Sequence, residues 1–166
     1  MEIFFNLPLM ATLAAIAIAQ LIKYPIALIF NRPSAKISIV HATGGMPSSH
    51  SAAATALITA LILQYGFQDP SVAIAVCFGL IVMFDAMGVR RQSGEQGRAF
   101  KALLSLVEKE AEKKHDNELQ RVLEAFKDKR YIIDDYLGHK PSEVLGGMTT
   151  GFLVALLVNY LIIQWS

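Results

Sequence analysis

The sequence predicts an all-α fold: an integral membrane bundle of about four transmembrane helices, with a charged cytoplasmic helical hairpin between helices 3 and 4. Hydrophobic residues make up 54% of the 166-residue chain, above the roughly 45–50% of soluble domains. They are concentrated in runs close to the length of ~20 residues that a membrane helix needs. The charges are concentrated in one long loop. We therefore expect a single membrane domain over residues 1–166, with a soluble bundle of buried helices as the alternative.

The four apolar runs predict transmembrane helices at about 7–30, 48–66, 70–88 and 143–163. The first run contains one charged residue, Lys23, and residues 144–163 of the last run contain none. The second run is short, but it approaches membrane length if its helix begins near Pro47. Gly147 and Gly151 in the last run form a small-xxx-small pair, which favours close packing of helices.

The segment between the third and fourth runs carries most of the charge. Twelve of the fifteen Lys and Arg residues lie between Val89 and Glu143, together with eleven acidic residues. Apolar residues at helical spacing predict a helical insertion at about 92–136, with a turn at 114–118. The sequence leaves two uses open for this hairpin: a solvated pair of helices, or a lid or homodimer contact beside the membrane.

The distribution of basic residues predicts the orientation. Besides the twelve in the long loop, Arg32 and Lys36 lie between the first and second runs. An excess of Lys and Arg marks the cytoplasmic side, and four crossings return both basic loops to that side. We expect a multi-pass protein of the bacterial plasma membrane, or of an organelle membrane, with its polar loops in the cytoplasm. A net charge of +1 and the lack of a basic stripe with aromatic residues argue against nucleic acid as a partner.

This topology brings polar residues of all four helices to one membrane level. Ionisable groups near a bilayer are costly, so they usually face one another or a water-filled site. The residues concerned are Lys23, Arg32, His50, Asp85, Arg90, Arg91, His139 and Glu143.

The stretch "GGMPSSHSA", residues 44–52, predicts an anion site at the start of helix 2. Pro47 suits the first turn of a helix, and Ser48 or Ser49 can cap it. The backbone N–H groups at a helix start bind anions together with the helix dipole. Arginine is suited to bidentate contact with phosphate. The cluster is therefore typical of a phosphate cradle.

Two histidines could supply chemistry beside this cradle. His139 and Glu143 are spaced i, i+4, on one face of a helix. A carboxylate at that spacing can hold the imidazole by one nitrogen and leave the other nitrogen to attack. His50 lies on a different helix and could donate a proton near neutral pH.

These residues fall in motifs that resemble the type 2 phosphatidic acid phosphatase superfamily, and most closely its divergent branch of acid phosphatase/vanadium haloperoxidase-related membrane proteins. "PSSH" (47–50) resembles its PSGH motif, and "HKPSE" (139–143) followed by "VLGG" resembles part of its third motif. "KYPIALIFNRP" (23–33) resembles its first motif, and "DAMGVRR" (85–91) could supply an arginine of the third.

The chain differs from the family motifs at several positions. Glu143 stands where the family has Asp, and Ser49 stands where it has Gly. Eight residues separate Lys23 from Arg32, more than in the family motif. A stretch of 47 residues precedes His139 after the arginine pair, far longer than in the family.

The resemblance implies a role for each site residue. His139 would be the nucleophile, Glu143 would orient it, and His50 would protonate the leaving alcohol. The phosphoryl oxygens would be held by Lys23, Arg32, either Arg90 or Arg91, and the amides of Ser48 and Ser49. No metal ion and no cofactor are implied.

The expected function is that of a membrane-embedded, metal-independent phosphatase acting on a lipid phosphate or pyrophosphate through a phosphohistidine at the cytoplasmic membrane face. Its partners would be a phosphorylated membrane lipid and the bilayer. One alternative is a non-catalytic phospholipid-binding or assembly protein that keeps the cradle. Another is a metal-dependent lipid phosphotransferase that uses Asp85, Glu143 and Asp134 or Asp135.

Overall fold

The computed structural model describes residues 6–29, 45–114, 117–128 and 138–165, and all the regular structure in these ranges is α-helical. The helices are α1 (Leu7–Ile29), α2 (Ser49–Tyr65), α3 (Pro70–Met87), α4 (Val89–Lys114), α5 (Asn117–Asp128) and α6 (Pro141–Trp165). The ends of the four apolar helices agree with the sequence prediction to within two residues. The all-α prediction is confirmed for this part of the chain.

Local signals explain why α2 and α3 begin where they do. The Ser48 side chain caps α2 by accepting a hydrogen bond from the Ser51 amide. The Asp69 carboxylate caps α3 and accepts the Ser71 amide at 2.8 Å, while Pro70 occupies the first turn. Hydrogen bonds from the Ser71 hydroxyl and amide lower the pKa of Asp69 below its usual value. α2 ends at Gly66, whose φ of 85° favours glycine.

The core of the bundle is a seam of small side chains where α1, α2 and α6 meet. On α1 and α2 the buried alanines recur every four residues, so they share one helix face. The fully buried members are Ala11, Ala15, Ala19, Ala52, Ala56, Ala60 and Ala155. Because these side chains are small, the helix backbones can approach closely. α3 packs mainly on α2.

Glycines on α6 allow the closest approach to α2. A Cβ added at Gly147 would lie 2.3 Å from the carbonyl oxygen of Ser48. A Cβ at Gly151 would lie 2.2 Å from the carbonyl oxygen of Ala52. No side chain fits at these distances, so the small-xxx-small pair fixes α6 against the first two turns of α2.

Within the described residues, three helical stretches are long and apolar enough to cross a membrane: Leu7–Ile29, Pro70–Lys114 and Pro141–Gln164. The sequence predicted a fourth crossing at α2. This helix has 17 residues, which gives roughly 26 Å at 1.5 Å per residue against a hydrocarbon core of about 30 Å. Length and composition therefore support three of the four crossings.

The charged segment contains two helices that contact each other. α4 begins at Val89 rather than at the predicted 92, because only Gly88 separates it from α3. Ala111 on α4 and Leu123 on α5 are buried, whereas other apolar residues, among them Leu103, stay exposed. Within the predicted turn at 114–118, Lys114 ends α4 and Asn117 begins α5, and residues 115–116 lie outside the described residues. The end of the predicted insertion, from 129 onward, also lies outside them.

Candidate functional site

At one end of the bundle, the buried seams of small residues continue by one helical turn into polar residues. The alanine series of α1 is followed after four residues by Lys23, which is 1% exposed. The series on α2 is preceded by Ser48, and the glycine pair of α6 is preceded by Glu143. Each of these residues lies four positions from its series and therefore on the same face of its helix. The three buried side chains lie at the same end of the bundle.

His139 lies just before α6, and two hydrogen bonds fix its position. Its backbone N–H donates to the carbonyl oxygen of Ala86, near the end of α3, at 2.9 Å. Its Nδ1 lies 3.2 Å from Oε2 of Glu143, as the i, i+4 spacing predicts. The same carboxylate oxygen accepts the Lys140 amide at 3.3 Å. When the carboxylate is ionised it can only accept hydrogen bonds, so in a neutral imidazole Nδ1 carries the proton and Nε2 carries the lone pair.

The second nitrogen of His139 is the unusual atom of this site. The residue is 2% exposed, and its Nε2 has no hydrogen-bond partner among the described residues. Buried polar atoms are normally paired, so an exception suggests a ligand or a reaction. The ring of His50 lies beside it, with 6.3 Å between the ring centroids and 62° between the ring planes.

The start of α2 is tied to the same residue of α6 that holds the imidazole. The Ser48 amide donates to the backbone carbonyl of Glu143 at 2.9 Å. The Ser48 hydroxyl oxygen accepts the Ser51 amide at 3.3 Å and lies 3.0 Å from the Ser51 hydroxyl oxygen. Ser48 and Ser51 are fully buried, and Ser49 is buried in the first turn. Glu143 therefore contacts both the predicted cradle and the predicted nucleophile.

Lys23 brings a positive charge to this cluster. Its ammonium group and the Glu143 carboxylate attract each other. This attraction offsets part of the cost of burying the two charges. The burial of Lys23 places it inside the bundle, not on the lipid-facing side of α1.

The structure describes the side chain of only one of the three predicted arginines. Arg91 is exposed on α4, and its Nε forms an ion pair with Glu95 at 3.2 Å. The side chain of Arg90 and the whole of Arg32 lie outside the described residues. The structure therefore brings together His139, Glu143, His50, Ser48, Ser49 and Lys23, and it gives Arg91 a different partner.

For the metal-dependent alternative, the described residues contain no group of three or more His, Cys, Asp or Glu side chains that could hold a metal ion. Asp85 is half-buried near the end of α3. Asp134 and Asp135, the other candidate ligands, lie outside the described residues.

Sequence reasoning missed two contributors to the site. One is the Ala86 carbonyl, which no side-chain pattern can reveal. The other is Ser51, three residues after the capping Ser48. The residue at this spacing provides the amide that an N-cap accepts. The serine at position 51 was therefore the feature of the sequence that could have predicted this contact.

The chain is similar to known proteins over most of its length. The model of the family described as "Divergent PAP2 family" matches residues 4–154. The chain is 42% identical over 160 residues to YuiD of Bacillus subtilis (strain 168), described as an uncharacterized membrane protein; the match covers 96% of this chain and 98% of that protein. No solved structure matches the chain. The helix-end motifs predicted this relationship correctly: the chain belongs to the divergent PAP2 family.

Proposed function

We propose that the protein is a membrane-embedded, metal-independent phosphatase that hydrolyses a lipid phosphate or pyrophosphate through a phosphohistidine on His139. The observation that carries the proposal is the state of this imidazole. Its Nδ1 is held by Glu143, and its buried Nε2 has no partner among the described residues. Such a nitrogen is oriented, carries its lone pair, and is ready to attack phosphorus. Membership of the divergent PAP2 family supports the same chemistry.

The reaction has two steps. Nε2 of His139 attacks phosphorus, the bond from phosphorus to the leaving oxygen breaks, and His50 gives that oxygen a proton. Water then attacks the phosphohistidine, His50 takes a proton from it, and the bond from phosphorus to Nε2 breaks to release orthophosphate. Glu143 stabilises the positive charge that develops on the imidazole, since its carboxylate accepts the Nδ1 proton in a hydrogen bond.

The phosphoryl oxygens would be bound by groups already gathered at this end of the bundle. Lys23 supplies a positive charge, and the Ser48 hydroxyl and the amides at the start of α2, including that of Ser49, supply hydrogen bonds. Arg32 is assigned by its motif. The ion pair that Arg91 makes with Glu95 favours Arg90 as the second arginine.

The site would lie at the cytoplasmic face of four crossings. The contacts of α6 bring the end of α3 and the starts of α2 and α6 to one end of the bundle. α2 therefore runs beside α1 and α6 through the same core, which favours a crossing for α2 despite its length. The basic residues of α4 follow directly at that end, and an excess of Lys and Arg favours the cytoplasm.

Two histidine variants test this function. A nucleophile is needed for every substrate, whereas a general acid is needed most when the leaving group is basic. In purified protein, His139→Ala should abolish hydrolysis of both a lipid phosphate and nitrophenyl phosphate. His50→Ala should lose roughly 10²–10⁴-fold on the lipid and much less on the aryl ester. His115→Ala, in the charged segment, is the matched control and should keep both activities.

The outcomes separate the alternatives. Aryl activity retained in His139→Ala would contradict the nucleophile, and equal losses on both substrates in His50→Ala would contradict the acid. A wild-type protein that binds phosphate but hydrolyses neither substrate would instead be a phospholipid-binding or assembly protein. Activity that a chelator removes and magnesium restores would favour the metal-dependent phosphotransferase.

A further inference from the structure

We infer that Ser51 is a positioning residue: its hydroxyl donates to Ser48 and thereby turns the Ser48 hydroxyl into a hydrogen-bond donor aimed at the phosphoryl group. This inference rests on the proposed function, because it concerns the same anion site. Ser51 itself would not touch the substrate.

The contacts of Ser48 limit what its hydroxyl can do. A serine hydroxyl has one hydrogen to donate and two lone pairs that accept. The Ser51 amide, which can only donate, occupies one lone pair of Ser48 Oγ at 3.3 Å. The Ser51 hydroxyl lies 3.0 Å from the same atom. If this hydroxyl donates, both lone pairs are filled and the Ser48 hydrogen must find an acceptor elsewhere.

The surroundings of Ser51 decide the direction of that bond. Several other Ser and Thr hydroxyls in the described helices donate to the carbonyl four residues earlier. These pairs are Thr12 to Pro8, Thr59 to Thr55, Ser93 to Val89, Thr149 to Leu145 and Thr150 to Gly146. Ser51 is fully buried, and its hydroxyl is instead directed at Ser48 Oγ. Donation in the opposite direction would leave the Ser51 hydrogen buried without an acceptor among the described residues, at the cost of an unmade hydrogen bond.

With a phosphate bound, one direction satisfies both hydroxyls. Ser51 donates to Ser48, and Ser48 donates to a phosphoryl oxygen, which is a strong acceptor. The α6 backbone also restricts Ser51, since a Cβ at Gly147 would lie 2.9 Å from the Ser51 Cβ. The Ser51 side chain is thus held where it fills the second lone pair of Ser48.

A double-mutant cycle on anion binding tests this role. Binding of orthophosphate and of vanadate would be measured on purified wild-type protein, Ser51→Ala, Ser48→Ala and the double variant. Ser51→Ala should weaken binding by about 3–10-fold, the size of one ordinary hydrogen bond. Ser48→Ala should weaken it more, and adding Ser51→Ala to Ser48→Ala should change nothing further. Thr59→Val is the matched control: it removes a hydroxyl from the buried part of the same helix and should leave binding unchanged.

Each result bears on the inference. If Ser51→Ala weakens binding equally with and without Ser48, then Ser51 acts through the shape of the helix and the inference is wrong. Unchanged binding in Ser51→Ala also overturns it. Should Ser51→Ala fail to fold, Ser51→Cys keeps the size but donates weakly, and it should lose affinity likewise. A wild-type protein that binds neither anion would overturn the proposed function, and with it this inference.

Discussion

Replacing Gly147 with alanine should damage the site through the backbone, although the residue has no side chain to lose. The new Cβ would lie 2.3 Å from the Ser48 carbonyl oxygen, and ordinary contacts begin at 3.4 Å. The start of α6 must therefore move by roughly 1 Å, and overpacking of this kind costs about 1–3 kcal/mol. The same movement separates Glu143 from the Ser48 amide. A misplacement of ~1 Å in a catalytic site can cost about 10²-fold in rate.

Gly146→Ala is the matched control for this experiment. Its Cβ would meet the end of the Met46 side chain at 3.0 Å, and that flexible group can move aside. Both variants gain the same helix propensity, about 1 kcal/mol relative to glycine, so their difference isolates the contact with Ser48. Gly151→Ala adds a second comparison, because its clash with the Ala52 carbonyl lies one turn further from the site.

Thermal unfolding in detergent and binding of orthophosphate are the two measurements. Gly147→Ala and Gly151→Ala should both unfold at lower temperature than Gly146→Ala. Gly147→Ala should lose the most affinity for phosphate. If Gly147→Ala matches Gly146→Ala in both measurements, the close approach of α6 to α2 is wrong, and so is the link from that approach to the site.

Three further outcomes are expected. In a protein whose exposed Cys77 is first replaced by Ser, single cysteines at Lys113 and Asp69 should label from opposite sides of sealed vesicles, and labelling from one side would refute four crossings. Hydrolysis should continue in the presence of chelators and be inhibited by vanadate, since in the proposed mechanism the chain itself supplies the nucleophile and the cations; loss of activity to a chelator would contradict that mechanism. Lys23→Met should unfold more easily than wild type, because the buried Glu143 carboxylate loses a nearby positive charge while it keeps its contacts with His139 and Lys140; the loss should stay below the roughly 3–5 kcal/mol of a buried charge left fully unpaired. Adding Glu143→Gln should recover part of that stability without recovering turnover; a double variant no more stable than Lys23→Met would contradict the pairing.

The positions of the apolar helices could be predicted from the sequence because their ends carry strong local signals. Pro70 and the capping Asp69 mark the start of α3, and Gly66 ends α2. The pairing of His139 with Glu143 was also predictable, because i, i+4 spacing brings two side chains together on any regular helix.

Contacts between helices were harder to predict. The spacing of Lys23 and Arg32 did not determine which face of α1 carries Lys23. The structure shows that Lys23 continues the series of buried alanines four residues apart on α1, and it is therefore buried. Arg91 was predicted to bind phosphate from its place at a helix end. In the structure α4 begins at Val89, so Arg91 and Glu95 lie one turn apart on the same helix and form an ion pair.

Glu143 makes two hydrogen bonds of different kinds, one through its backbone and one through its side chain. We expect the two together to keep the distances within the candidate site constant when the helices move. Its backbone carbonyl holds the Ser48 amide, and its carboxylate holds the imidazole of His139. When the first turn of α6 tilts or slides, as helices in a fluid bilayer do, both attachments are carried in the same direction. In the proposed mechanism, we therefore expect the separation between the amides that bind the anion and the nitrogen that attacks to change little when bilayer thickness or lateral pressure alters the tilt of α6.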